Sequence, residues 1–194
     1  MGTKRGAVKK RITKETQIEV RLCLDGGEIN IDTGIGFFDH MLHSFAFHAG
    51  FGLDLIAKGD LEVDFHHTVE DSGIVLGAAL REALNNKEGI ARFADVHIPM
   101  DEALCFAAVD ICGRPWLTFE ADFPQELIGE YSSCLSEEFF RAFAVNAGIS
   151  LHLRMLYGSN SHHITEALFK ACARALKLAV KIEDTRLPST KGVL

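Results

Sequence analysis

The chain contains no apolar run near the roughly 18 residues that a membrane-spanning helix needs. Its basic N-terminal stretch, residues 1–14, is not followed by the apolar segment of a secretory leader. Both absences predict a cytoplasmic protein. The five cysteines, Cys23, Cys105, Cys112, Cys134 and Cys172, are odd in number and include no Cys-x-x-Cys pair. Neither a disulfide framework nor a thiolate zinc site is signalled, and reduced, mostly buried thiols are expected. Basic charge is also scarce: 20 Lys and Arg stand against 27 Asp and Glu, for a net charge of −7. Sequence-independent binding to nucleic acid needs a clustered basic face, and none is present. The run Lys9, Lys10, Arg11 is too short to supply one and reads as part of a solvated N-terminal arm. What remains is an ordinary globular composition, 47% hydrophobic and 24% charged over 194 residues, enough to bury a substantial core.

The sequence repeats itself, a feature to be sought before elements are assigned. Residues 39–50 align with 137–148 so that Phe45, Ala46, Ala49 and Gly50 lie over Phe143, Ala144, Ala147 and Gly148. Further on, His66-His67-Thr68-Val69-Glu70 lies over His162-His163-Ile164-Thr165-Glu166, and the match continues to Leu80 and Leu176. Upstream, residues 15–26 fit over 102–113 and pair Glu15 with Glu102. Alternating or apolar runs at 18–24, 28–31, 51–57 and 61–65 predict strands in the first half. Helical spacing predicts helices over 37–49, closed by Gly50, and 68–84. The second half reads as strand at 103–111 and 116–123, helix at 137–147, strand at 149–156 and helix at 164–182. The expectation is an α+β fold made by internal duplication of a β-β-α-β-α unit, with each sheet covered by helices on one face. The repeats are set at 1–95 and 96–194, within one compact domain.

His-His-x-x-Glu occurs twice among only nine histidines, at matching places in the repeat. At a helix start, adjacent side chains diverge by about 100° because the helix advances 3.6 residues per turn. The two imidazoles of each motif should therefore serve different sites, while the glutamate, one turn on, can join one of them. This gives His66, His67, Glu70, His162, His163 and Glu166 as metal ligands. The repeat adds His40 and Glu138, which occupy equivalent helix positions, so eight ligands make four per ion. Nitrogen and oxygen donors without thiolate suit Mn²⁺ or Fe²⁺ with open positions for substrate, and imidazole-rich sites also take zinc. His43 and His97 read as surface groups. His152, in a strand-like run, is either a partner of a ligand or a hydrogen-bonded core histidine.

The segments Thr33-Gly34-Ile35-Gly36-Phe37-Phe38-Asp39-His40-Met41-Leu42, His66-His67-Thr68-Val69-Glu70-Asp71, Ser161-His162-His163-Ile164-Thr165-Glu166-Ala167 and Ser189-Thr190-Lys191-Gly192 together resemble the signature blocks of the imidazoleglycerol-phosphate dehydratase family. The resemblance spans nearly the whole chain. It implies a duplicated fold like the second domain of ribosomal protein S5 and a 24-subunit shell built from trimers. It also implies two Mn²⁺ per active site, between subunits, and loss of water from imidazole glycerol phosphate to give imidazole acetol phosphate. Two positions depart from the family: many members carry His at Glu138 and Pro at Gly36.

The implied elimination lacks a carbonyl to acidify its carbon-bound proton, so an electron sink is required. Two ions flanking the ring nitrogens would stabilise an imidazolate able to expel hydroxide. By resemblance, Glu15 takes the carbon-bound proton as general base. Arg92, Arg114, Lys170, Ser189 and Lys191 match family positions that contact substrate or phosphate, and His48, on the helix of His40, joins this substrate-binding group. Ser-Thr-Lys-Gly is a hydroxyl-rich turn able to wrap an anion with backbone and side-chain donors. Two other classes fit parts of the pattern. One is a dinuclear metallohydrolase acting on a phosphorylated small molecule, although such sites favour Asp and Glu bridges. The other is a metal-storing shell, which the phosphate-binding turn argues against.

Overall fold

Alternation of apolar and polar residues along 16–23 buries every second side chain, and the strand it forms is the centre of the first half of the molecule. The structure, a computed structural model, describes residues 5–192 and 194; the first four residues of the basic stretch and residue 193 lie outside it. The first half runs β1 (Gly6–Ile12), β2 (Thr16–Cys23), β3 (Ile29–Asp32), α1 (Gly36–Ala49), β4 (Gly52–Gly59) and α2 (His66–Ala83). The second half runs β5 (Phe93–Met100), β6 (Ala103–Asp110), β7 (Trp116–Glu120), the short hairpin β8 (Leu127–Ile128) and β9 (Tyr131–Ser132), α3 (Leu135–Ala147), β10 (Ser150–Tyr157) and α4 (Ser161–Ala179). The sheets have matching orders, β1-β2-β4-β3 and β5-β6-β10-β7. In each, the third strand pairs in parallel with the strand after the first helix.

The duplicated α+β architecture is as the sequence predicts, with three corrections. Each half opens with an additional strand, so the unit is β-β-β-α-β-α. Lys9, Lys10 and Arg11 are not a solvated arm but part of β1, paired antiparallel with β2 in the register Lys9↔Val20. Its exposed, cationic pattern is that of a protected sheet edge, and Arg11 reaches the nearly buried carboxylate of Asp71 at 3.2 Å. Its counterpart β5 straddles residue 95, so the second repeat begins before the boundary drawn from the sequence. Pro99 sits in this strand without penalty because β5 is an edge. Residues 61–65 form turns, not a strand. The carbonyl of Asp60 accepts from the Val63 amide, and the Asp64 carboxylate accepts from the His66 amide at 2.7 Å, starting α2.

One apolar cluster draws on both halves. Helices α2 and α4 lie on their own sheets and also meet the first helix of the other half, α2 against α3 and α1 against α4. Both first helices end at a glycine in the left-handed region, Gly50 (φ 72°) and Gly148 (φ 67°), where a side chain would be strained. The α2–α3 crossing is a backbone approach. A Cβ on Gly73 would come within 2.6 Å of the Phe139 carbonyl oxygen, and one on Gly77 within 2.5 Å of the Phe143 carbonyl oxygen. At the repeat-equivalent places α4 carries Phe169 and Ala173. Because backbone cannot swing aside as a side chain can, Gly77→Ala is expected to cost about 1–3 kcal/mol. The measurement is a lowered denaturation midpoint at unchanged slope in urea; parental stability would show that the helices part without cost. All five cysteines are free, and burial pushes the Cys105 thiol up to about 12.

Candidate metal centre

The start of α1 is fixed by Asp39, whose carboxylate accepts from the Thr33 amide at 2.9 Å and the Thr33 hydroxyl at 2.5 Å. This sets His40 on the exposed side of the first turn. The start of α4 is fixed by Asn160, whose side chain accepts from the His162 amide at 2.9 Å. Because α1 packs against α4, the two helix starts converge. His40 Nε2 and His162 Nε2 lie 3.6 Å and 3.3 Å from Glu166 Oε2. Among the described residues these three form the one group of three or more His, Cys, Asp or Glu whose ligand atoms all lie within 4.8 Å. One candidate ligand comes from the first half and two from the second. Phe37 packs edge-on against His162, with ring centroids 5.1 Å apart, and limits its rotation.

Glu166 is nearly buried, and Lys170, one turn further on, approaches it at 2.7 Å. Burial of the Glu166 carboxylate opposes ionisation, but the Lys170 ammonium, with His40 and His162, outweighs it and holds the pKa below the ordinary value. His48 lies further along α1, beside the cationic ridge of α4. Its pKa is lowered, first by burial and then by Lys170, Arg174 and Lys177, with Glu166 opposing. The sequence-derived candidates His40, His162, Glu166, Lys170 and His48 are thus neighbours.

The other motif is assembled less completely. His66 Nε2 stands 3.8 Å from Glu70 Oε2 across one turn of α2. Glu138 has Arg141 at 3.8 Å and, among the described residues, is not gathered with them into one cluster. The second imidazole of each motif diverges from the first: ring planes are 90° apart for His66 and His67, and 75° apart for His162 and His163. His67 Nδ1 lies 3.0 Å from Asp60, and His163 Nδ1 lies 2.7 Å from Glu102. The hydrogen bond that His67 donates to Asp60 raises the pKa of His67. Glu102 is lowered to about 2, chiefly by its bond to His163 and then by the Ser159 amide. Glu15 is exposed, its carboxylate 4.0 Å from His67 Nε2.

The remaining candidates lie elsewhere. Arg92 pairs with Asp110 at 2.8 Å and donates to the Pro188 carbonyl at 2.8 Å, so it holds the segment that carries Ser189 and Lys191. Arg114 is exposed. His43, His97 and His152 are also exposed, so His152 is not a core histidine. Asp60, Asp101, whose carboxylate lies 3.7 Å from His163 Nε2, and the role of Glu102 are not signalled by the sequence as a group. Only Glu102 carried a signal, its alignment with Glu15.

A family model described as imidazoleglycerol-phosphate dehydratase matches residues 33–176. The chain is 56% identical over 188 residues to the imidazoleglycerol-phosphate dehydratase of Azorhizobium caulinodans, covering 95% of each chain. It is 56% identical over 199 residues to that of Gluconobacter oxydans, covering 100% of each. Among solved structures, that of imidazoleglycerol-phosphate dehydratase from Staphylococcus aureus superposes with a TM-score of 0.83 at 41% identity, over 90% of this chain and 98% of that one. The Pyrococcus furiosus structure gives 0.84 at 40% identity, over 96% and 100%.

Proposed function

The chain belongs to the imidazoleglycerol-phosphate dehydratase family, and from that premise we propose that it removes water from imidazole glycerol phosphate in histidine biosynthesis with Mn²⁺ as cofactor. The carrying observation is the convergence of His40, His162 and Glu166. Two imidazole nitrogens and one carboxylate oxygen from two rigid helix starts are a donor set that Mn²⁺ accepts. Two imidazoles to one carboxylate is also a poor match for the carboxylate-bridged pair of a metallohydrolase. In this reading His66, Glu70 and Glu138 hold a second ion, and His67 and His163, half-buried and turned away from their neighbours, are donated to sites completed by other copies. A homo-oligomer of 24 subunits built from trimers and a cytoplasmic location belong to the same proposal; no helix among the described residues is long and apolar enough to cross a membrane.

Bound at these residues, Mn²⁺ supplies Lewis acidity toward the nitrogens of the substrate's imidazole. The chain's own groups do the rest. Glu15, exposed beside His67, takes the proton from the carbon next to the one that loses hydroxide. His67 beside it fixes where that carboxylate meets the substrate. Lys170 and the ridge behind it favour an anion near Glu166. Ser189 and Lys191, tethered through Arg92, receive the phosphate, and Arg114 adds an exposed cation.

Metal-stripped protein is expected to show no turnover of imidazole glycerol phosphate, with activity returning on addition of Mn²⁺ and no phosphate released from simple phosphate esters. Full turnover after complete chelation, or ester hydrolysis in place of dehydration, would sink the proposal.

A further inference from the structure

Each second imidazole is gripped by a carboxylate on its Nδ1 edge, but the two grips come from positions that the repeat does not relate. In the first half the carboxylate is Asp60, the residue directly after β4, with its oxygens 3.0 and 3.2 Å from His67 Nδ1. In the second half the residue directly after β10 is Gly158. A Cβ there would lie 2.8 Å from Ile164 Cγ1 and 3.0 Å from Ala103 Cβ, so an acid has no room. The grip is supplied instead by Glu102 from the start of β6. Its other oxygen accepts from the Ser159 amide at 3.1 Å and the Asn160 amide at 2.8 Å, which anchors it to the start of α4.

We infer that Asp60 and Glu102 are positioning residues for His67 and His163, and that this division of labour leaves Glu15, the repeat partner of Glu102, free for proton transfer. An ionised carboxylate only accepts, so the ring nitrogen facing it carries the hydrogen. That leaves Nε2 as the lone-pair donor of both imidazoles and fixes the ring planes. Carboxylates behind metal-bound histidines orient the ligand and raise its basicity. Glu15 faces the Nε2 edge of His67, opposite Asp60, and is not needed to hold the ring. Glu102, committed to one imidazole and two amides, cannot serve as a base.

The inference rests on the proposed metal role of His67 and His163, and the test separates the two. Metal-stripped full-length protein is titrated with Mn²⁺, free ion being read by electron paramagnetic resonance, for the parent, Glu102→Gln, Asp60→Asn, Asp60→Ala, His163→Ala and the double variant Glu102→Gln/His163→Ala. In Glu102→Gln the oxygen is retained by the two amides and the NH₂ group faces Nδ1, which moves the ring hydrogen to Nε2. Mn²⁺ affinity is expected to fall roughly 10–100-fold, with turnover recovered at high Mn²⁺ and circular dichroism unchanged. Asp60→Asn keeps an acceptor for the Nδ1 hydrogen and should stay near the parent, whereas Asp60→Ala, which disturbs no helix start, should weaken binding as Glu102→Gln does. The double variant should bind no more weakly than His163→Ala, since both act through one imidazole. Parental affinity in Glu102→Gln and Asp60→Ala alongside weak binding in His163→Ala overturns the inference alone. Parental affinity in His163→Ala overturns both the inference and the metal reading beneath it.

Discussion

Exchanging Glu166 for glutamine is expected to abolish tight binding of one Mn²⁺ and to reduce turnover on the order of 10²–10³-fold or more, the usual loss when a group that anchors developing charge is removed. Glu166 is the carboxylate that both His40 and His162 approach, and it is nearly buried. The amide presents one neutral oxygen and leaves the Lys170 ammonium without its counter-charge, so the second cost is electrostatic. Elemental analysis should find manganese per subunit reduced to about half, because a ligand set of eight divides between two ions. Glu138→Gln should act in the same way on the other ion if the repeat equivalence with His40 governs coordination. Glu137→Gln, whose carboxylate pairs with Arg141 across one helical turn, should change little. Unchanged metal content and turnover in Glu166→Gln would remove the centre from the reaction.

Glu15→Gln should separate proton transfer from metal binding. Loss of a positioned general base costs roughly 10²–10⁴-fold in kcat, and here it should come with parental manganese content, since no ligand is removed. The isosteric amide keeps the turn between Thr13 and β2, where the Glu15 amide donates to the Thr13 hydroxyl at 3.1 Å. Parental kcat would strip Glu15 of its role. Loss of manganese together with activity would place it among the ligands.

The helices, the inner strands and the duplication were legible because burial imposes a period on the sequence. Phe38, Met41, Leu42 and Phe45 recur at helical spacing along α1, and all are buried. The opening strands β1 and β5 were not legible: β1 carries Lys9, Lys10 and Arg11 outside a sheet that covers only one of its faces, which hides the alternation. Residues 61–65 misled through Leu61, Val63 and Phe65, an alternation without a neighbouring strand to pair with, while Asp60 and Asp64 turned the chain. At the candidate centre, the His-His-x-x-Glu spacing gave the divergence of adjacent rings on each helix. It did not reveal that His40 joins His162 and Glu166, nor that Asp60 backs His67, because both depend on how separate elements approach one another. The resemblance groups Arg92 with Ser189 and Lys191 without saying how they meet; the bond from Arg92 to the Pro188 carbonyl ties them together, a link across 96 residues that no local pattern carries.

The crossed pairing of helices bears on how such a chain arose. A polypeptide of one repeat would own a helix start of the α1 kind and one of the α4 kind, but each lies against the complementary start of the other repeat. A single-repeat ancestor could have assembled this ligand group only as a symmetric pair, with two identical centres. Fusion of two copies removed that symmetry requirement and allowed the halves to drift apart. The halves differ where α2 has Gly73 and Gly77 and α4 has Phe169 and Ala173 at the equivalent places, and where Glu138 is the equivalent of His40. On the proposed reading, the group of His40, His162 and Glu166 descends from an intermolecular contact, and two ions held by such diverged halves need not be alike.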